Sequence, residues 1–121
     1  MNLGLVGSRN FTDYESFKRV ILKVLQGWGI KFKDIQNIVS GGAPGTDTLA
    51  EKFAKEYDIN MIVYKPNWNL YGKKAGILRN TDIVENSTHM IAFPSRYGKG
   101  TQDSIRKAEN NKILIKVLYI D

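Results

Sequence analysis

The 121-residue chain contains no cysteine, one histidine (His89) and three prolines. Without cysteine there are no disulfides, thiolate metal sites or sulfur nucleophiles. A single histidine supplies no His cluster for zinc and leaves only His89 for a Ser-His-Asp relay. His89 is expected to open a strand and to have no catalytic part. No metal and no cofactor is expected. Long apolar runs are also missing. The longest span about four residues, as at Met90–Phe93, whereas a membrane-spanning helix needs ~20. Residues 1–10 lack the basic start and long apolar stretch of a signal peptide. The expected location is cytoplasmic, with no membrane partner.

The hydrophobic fraction is 42% and the charged fraction 25%, as in ordinary globular proteins. The length fits one domain spanning residues 1–121. Lys and Arg number 18 against 12 Asp and Glu, a net charge of +6. That balance suits an anionic partner or serves solubility alone.

Apolar segments alternate with helical patterns along the chain. Strands are predicted at Asn2–Val6, Ile35–Ser40, Asn60–Tyr64, His89–Phe93 and Ile113–Tyr119. From Tyr14 the apolar positions 14, 17, 20, 21, 24, 25 and 28 form a helical stripe. Thr12 or Asp13 can start this helix, and Gly27 or Gly29 can stop it. Further helices are predicted at Thr46–Tyr57, Ala75–Asn86 and Thr101–Asn110, with Lys65–Lys74 as a polar, aromatic-bearing loop. A β-α-β alternation with near-continuous apolar strands implies an α/β fold. The expected form is a Rossmann-like, three-layer α/β/α domain on a mostly parallel five-stranded sheet. Right-handed crossovers then gather the strand-to-helix loops at the C-terminal edge, where such sheets bind ligands.

Four loops would meet there. In Ser40-Gly41-Gly42-Ala43-Pro44-Gly45-Thr46-Asp47, the glycines give a tight turn and expose backbone to a ligand. The helix start behind them favours a phosphate or carboxylate. Thr46 or Asp47 can cap that helix, or Asp47 can hold a hydroxyl. Around Pro94, Gly98 and Gly100 flank Lys99, and Thr101 stands at an N-cap position. Arg9, in Gly7-Ser8-Arg9, has the planar fork that suits phosphate. No acid occurs between Asp58 and Asp82, while Lys65, Lys73, Lys74 and Arg79 accompany Trp68 and Tyr71. Aromatics beside cations can stack a base and hold a phosphate, or they can cover the sheet edge. Arg79 either enters the shared cleft or pairs with Asp82. Neither a Walker A loop nor a G-x-G-x-x-G motif is present.

The sequence Gly7-Ser8-Arg9, Ser40-Gly41-Gly42-Ala43-x-Gly45-x-Asp47, Trp68-x-x-Tyr71-Gly72-x-x-Ala75-Gly76-x-x-Arg79-Asn80 and Ala92-Phe93-Pro94 with Gly100-Thr101 resembles the SLOG superfamily. The nearest branch is the small, stand-alone YspA/YpsA-related group. The resemblance covers nearly the whole chain. It implies a Rossmann-like domain that binds a nucleotide or nucleotide-derived ligand as a sensor or sequestering protein. The ligand would touch Gly7, Ser8, Arg9, Ser40, Gly41, Gly42, Ala43, Gly45, Thr46, Asp47, Trp68, Tyr71, Arg79, Asn80, Pro94, Gly98, Gly100 and Thr101. A homodimer or higher homo-oligomer is expected.

The chain is also similar, more distantly, to the LOG-type phosphoribohydrolases. These cleave the N-glycosidic bond of nucleoside 5′-monophosphates with an Arg and the Glu of Pro-Gly-Gly-x-Gly-Thr-x-x-Glu. Arg79 matches the Arg, but Ser104 stands in the Glu position and Asp103 lies one residue early. If the chain is an enzyme of this kind, Arg79 and Asp103 are the catalytic candidates. A third resemblance, to the DNA-processing protein A family, implies binding of single-stranded nucleic acid.

Overall fold

The computed structural model describes residues 1–96 and 100–121. Five strands, β1 (Asn2–Gly7), β2 (Asn37–Ser40), β3 (Asn60–Val63), β4 (His89–Phe93) and β5 (Leu114–Val117), form one sheet in the order β3-β2-β1-β4-β5. Every pairing is parallel, so the expected sheet is parallel throughout. The helices are α1 (Tyr14–Trp28), α2 (Thr46–Glu56), α3 (Trp68–Tyr71), α4 (Ala75–Glu85) and α5 (Gly100–Asn110). Among the described residues, no helix is long and apolar enough to cross a membrane.

The chain steps outward from β1 to β2 and β3, then returns to β4 on the other flank of β1. The order therefore reverses between β1 and β4. The loops that leave these two strands diverge and open a crevice.

The two faces of the sheet carry separate cores. On one, α1 and α2 pack Phe17, Ile21, Leu25, Leu49 and Phe53 against Leu3, Leu5, Ile38, Ile91 and Phe93. Phe17 is the hub, with ring centroids 4.9 Å from Phe93 and 6.3 Å from Phe53. On the other face, Ile83 and Val84 of α4 and Ile105 and Ala108 of α5 pack against Val6, Val39, Met90 and Ala92. Gly4 lets the two layers meet closely, since a Cβ there would lie 2.5 Å from Ser87 Oγ.

Local signals explain most element ends. Asp13 rather than Thr12 caps α1, with its carboxylate accepting from Ser16 N at 3.2 Å. Gly29 ends the helix in the left-handed conformation (φ 72°), and Ile30 N donates to Leu25 O at 2.9 Å. Gly27 stays inside the helix.

Other expectations need correction. The segment 65–74 is not a plain loop: it contains α3 and a 3-10 turn at Gly72–Lys74. The Asn67 side chain accepts from Leu70 N at 3.1 Å and starts α3. A second 3-10 turn, Phe32–Asp34, precedes β2, which begins at Asn37 rather than Ile35. The N-cap of α2 is Gly45 (φ 77°), so Thr46 and Asp47 lie within the helix. Thr101 likewise lies inside α5, which begins at Gly100.

Candidate functional site

At Gly7, β1, β4 and α2 come so close that a Cβ would sit 2.5 Å from Thr46 Oγ1 and 2.7 Å from the Phe93 carbonyl oxygen. The turn beyond it is clamped on both sides. Ser8 N donates to Phe93 O at 2.9 Å. Ser8 O accepts from Thr46 N at 3.1 Å and from Thr46 Oγ1 at 2.8 Å. Arg9 thus leaves a fixed platform at the switch between β1 and β4.

The glycine-rich loop after β2 is turned toward the protein itself. A Cβ on Gly41 would strike the Arg79 guanidinium, and one on Gly45 would strike the Arg9 backbone. Gly42 (φ 72°) faces the side chains of Val63 and Lys65. These glycines make room for neighbouring parts of the chain, instead of baring backbone to a ligand. The anion nearest the start of α2 is internal as well, since Asp47 Oδ2 accepts from Ala43 N at 3.0 Å.

Arg79 enters the crevice from α4. Its Nη1 donates to Gly41 O at 3.0 Å and its Nε to Asn80 Oδ1 at 3.0 Å. The alternative pairing with Asp82 is not what the structure shows. Asn80 Nδ2 passes the connection on to Asp103 Oδ2 at 3.2 Å. Asp103 forms an ion pair with Lys107 at 2.9 Å, and Lys107 Nζ also donates to Ile77 O at 2.8 Å. A polar chain from the Gly41 carbonyl to Lys107 therefore ties α4 to α5 and fixes the guanidinium.

Burial pushes the Asp47 carboxyl above its ordinary range. The Ala43 N–H, the Ser40 hydroxyl and the Arg79 charge pull it back in part. Ser40 Oγ lies near enough to contribute, yet it is fully buried without a well-formed hydrogen bond among the described residues. Burial also lowers the Arg79 pKa, Asp47 opposes that, and the positive charge of Arg9 adds to it. Two guanidinium groups therefore feel each other in one crevice.

The crevice encloses about 670 Å³. From the sequence-predicted set it gathers Gly7, Ser8, Arg9, Ala43, Asp47, Trp68, Arg79, Asn80, Gly100, Thr101 and Asp103. Ser40, Gly41, Gly42, Gly45, Thr46, Tyr71 and Pro94 stand behind or beside it, off its lining. Gly98 and Lys99 lie outside the described residues. The Trp68 ring rests over Gly76, 3.5 Å from where a Cβ would stand, and the residue is 51% exposed at the crevice lip. Gly100 opens α5 on the same wall, and a Cβ there would meet no atom of the described residues within 4 Å. Arg96 is turned elsewhere: its N–H donates to Asp121 at 2.9 Å and its guanidinium lies 5.8 Å from the Tyr119 ring centroid.

Sequence reasoning gave no site role to Asn10, Ser95 and Ser104, and it missed Arg106, all of which line the crevice. Arg106 follows Asp103 by three residues on α5. Helical phase puts the two on neighbouring positions of one face, which was the available signal.

The family model described as YAcAr, the YspA, cpYpsA-related SLOG family, matches residues 5–71. The chain belongs to that family. In this YAcAr chain the matched span holds the Gly7-Ser8-Arg9 turn, the glycine loop and Trp68, whereas Arg79 and α5 lie beyond it. The Gene 61 protein of Mycobacterium phage D29 is 32% identical over 78 residues, covering 60% of this chain and 62% of that protein. DNA processing protein A from Streptococcus pneumoniae superposes with a TM-score of 0.72 at 18% identity, over 96% of this chain and 49% of that one. DNA processing protein A from Helicobacter pylori, described with its single-stranded DNA binding mode, gives 0.67 at 20% identity, over 97% and 64%. The YAcAr chain thus spans less than two thirds of each of these relatives. The two structural likenesses show a shared Rossmann-like fold.

Proposed function

We propose that the crevice binds a nucleotide or nucleotide-derived ligand, with its phosphate toward Arg9, Arg79 and the start of α5 and its base against Trp68. The observation that carries this reading is the charge imbalance. Among the described lining residues, the cations are Arg9, Lys73, Arg79 and Arg106, against two carboxylates, Asp47 and Asp103. Asp103 pairs with Lys107, and Asp47 attracts Arg79 while accepting from Ala43 N. The cations on the lining thus outnumber the carboxylates, and guanidinium groups favour a bound phosphate. The volume lies within the ~300–1,000 Å³ usual for small-molecule sites. The engagement of Asp103 with Asn80 and Lys107 favours binding over glycosidic cleavage, which needs a carboxylate free to face the ribosyl carbon.

Differential scanning fluorimetry with AMP and ADP-ribose tests the reading. A ligand at ~100 times its Kd adds ~2.7 kcal/mol, a rise of several degrees for a domain of this size. Arg79→Ala is expected to abolish the rise. No rise with either compound, or an equal rise in that variant, rejects the site.

A second reading is supported by the fold shared with DNA processing protein A and by the basic segment 65–79. There, Lys65, Lys73, Lys74, Trp68 and Tyr71 form an exposed margin beside the crevice. In this reading the nucleotide unit is part of a single strand. Fluorescence polarisation with a labelled oligothymidylate tests it, and binding that mononucleotides do not compete away would favour it.

A further inference from the structure

A second concavity lies between α1 and β5, with a volume of about 420 Å³. Its apolar wall is Val20, Val24 and Trp28, spaced four residues apart along α1. Its floor is Lys116 of β5 and Leu118 just beyond the strand. Alternation along β5 sends Ile113, Ile115 and Val117 toward α5, while Leu118 and Ile120 join the α1-side core.

That side of the sheet is incompletely covered. Helices α1 and α2 cover this face from β3 to β4, which leaves β5 at its margin, and α4 and α5 lie on the opposite face. Leu114, opposite His89 in the ladder, is left 51% exposed, and the partly buried Trp28 ring tilts toward His89 with centroids 5.4 Å apart. Parallel sheets are found almost always with both faces buried. The missing layer is a helix, since helices cover such faces and a groove with apolar anchors at helical spacing accepts one.

Charge narrows the occupant. Lys23 and Lys116 stand on the two sides of the groove, no carboxylate lines it, and neither lysine enters an ion pair among the described residues. A second copy would bring its own Lys23 and Lys116 to these, and a lysine within edge strand β5 also discourages strand-to-strand pairing.

We propose that the α1–β5 groove docks an amphipathic helix of a partner protein, with its apolar stripe on Val20, Val24, Trp28 and Leu118 and acidic residues beside Lys23 and Lys116. Val20 to Trp28 spans about 12 Å at 1.5 Å per residue, so two to three turns of partner helix fill the groove. The surface is separate from the nucleotide crevice, and none of its residues lines that crevice.

The test is an NMR titration of the full chain with two synthetic helical peptides of about 16 residues, roughly four turns. Both carry the same leucine stripe, one flanked by glutamates and the other by lysines. The glutamate peptide is expected to shift the amides of Val20, Val24, Lys116 and Leu118. The double variant Lys23→Glu/Lys116→Glu, at two exposed positions, is expected to weaken it about ten-fold or more while keeping the amide spectrum elsewhere. The lysine peptide is expected to bind that variant better than the wild type. Absence of shifts at millimolar peptide, equal binding of both peptides to the wild type, or shifts outside the groove overturn the proposal. So do shifts at these amides that grow with protein concentration alone, which would make the occupant a second copy.

Discussion

Arg79 Nη1 donates to the carbonyl oxygen of Gly41 at 3.0 Å, and the guanidinium occupies the space where a Cβ of residue 41 would stand. Helix α4 and the end of β2 are thereby joined across 38 residues of sequence by a contact that only glycine permits. Gly41→Ala is expected to displace a flexible side-chain end and not backbone, because the nearest atoms are all from Arg79. The fold should survive with a melting temperature within a few degrees of wild type. The nucleotide response should fall about as far as in Arg79→Ala, since a hydrogen bond to a charged group contributes ~1.5–3 kcal/mol. Parallel melting curves and calorimetric titrations check this. A Gly41→Ala protein with full affinity would show that the position of Arg79 is unimportant.

Gly45 is a different case. Its φ of 77° lies in the left-handed half of conformational space, and a Cβ would run into the Arg9 main chain. Neither the turn nor Arg9 can yield without loosening the Ser8–Thr46 hydrogen bonds. The conformation alone costs of order 1–3 kcal/mol for a residue with a side chain. Gly45→Ala is therefore expected to destabilise by at least about 2 kcal/mol, seen as a lower urea midpoint with an unchanged slope. A variant as stable as wild type would contradict this account of the turn.

Asp47 makes stability depend on pH. Burial raises its carboxyl above the ordinary 3.8, more than Ala43, Ser40 and Arg79 lower it. When the folded pKa of an acid exceeds the unfolded one, its contribution is intact below the unfolded value and is lost as pH rises through the folded one. Asp47→Asn keeps an acceptor for the Ala43 N–H and removes the charge. The variant is expected to melt higher than wild type at pH 7. The gap should close as pH falls toward and below about 4, where both states of the wild-type carboxyl are protonated. A variant that melts lower at pH 7 would mean that attraction to Arg79 outweighs burial.

What could be read from the sequence follows the range of the forces involved. Helix α1 was legible from its stripe and from Asp13 and Gly29, because capping and amphipathicity act within a few residues. Strand β4 was legible from the continuous apolar run Met90–Phe93. Helix α3 was hidden by its four-residue length and exposed apolar side chains, although Asn67 carried its start signal. The crevice was legible as a meeting of loops, yet the work of its glycines was not. Gly41 answers to Arg79 and Gly45 to Arg9, and no local pattern encodes partners so far along the chain. The Asn80–Asp103–Lys107 links were equally out of reach, since they depend on how α4 is set against α5.

Trp68 separates the two nucleotide readings. Its ring is half exposed at the crevice lip, while Tyr71, also half exposed, stands off the lining. Trp68 is the aromatic among the described lining residues, so Trp68→Ala should weaken a mononucleotide by the ~1–3 kcal/mol typical of base stacking, and Tyr71→Ala should leave it unchanged. A strand leaving the crevice would pass both rings and the lysines at 73 and 74, so each substitution would weaken an oligonucleotide. Salt adds an independent measure. A strand held by several cations loses affinity with a slope of about −0.7 per phosphate contact on logarithmic axes, so four contacts give a slope near −3. A single phosphate between Arg9 and Arg79 gives a slope near −1 or shallower. Titrations of wild type, Trp68→Ala and Tyr71→Ala with AMP and with an oligothymidylate at two salt concentrations therefore assign the ligand. Sensitivity at Trp68 alone with the shallow slope supports the mononucleotide, and sensitivity at both rings with the steep slope supports the strand.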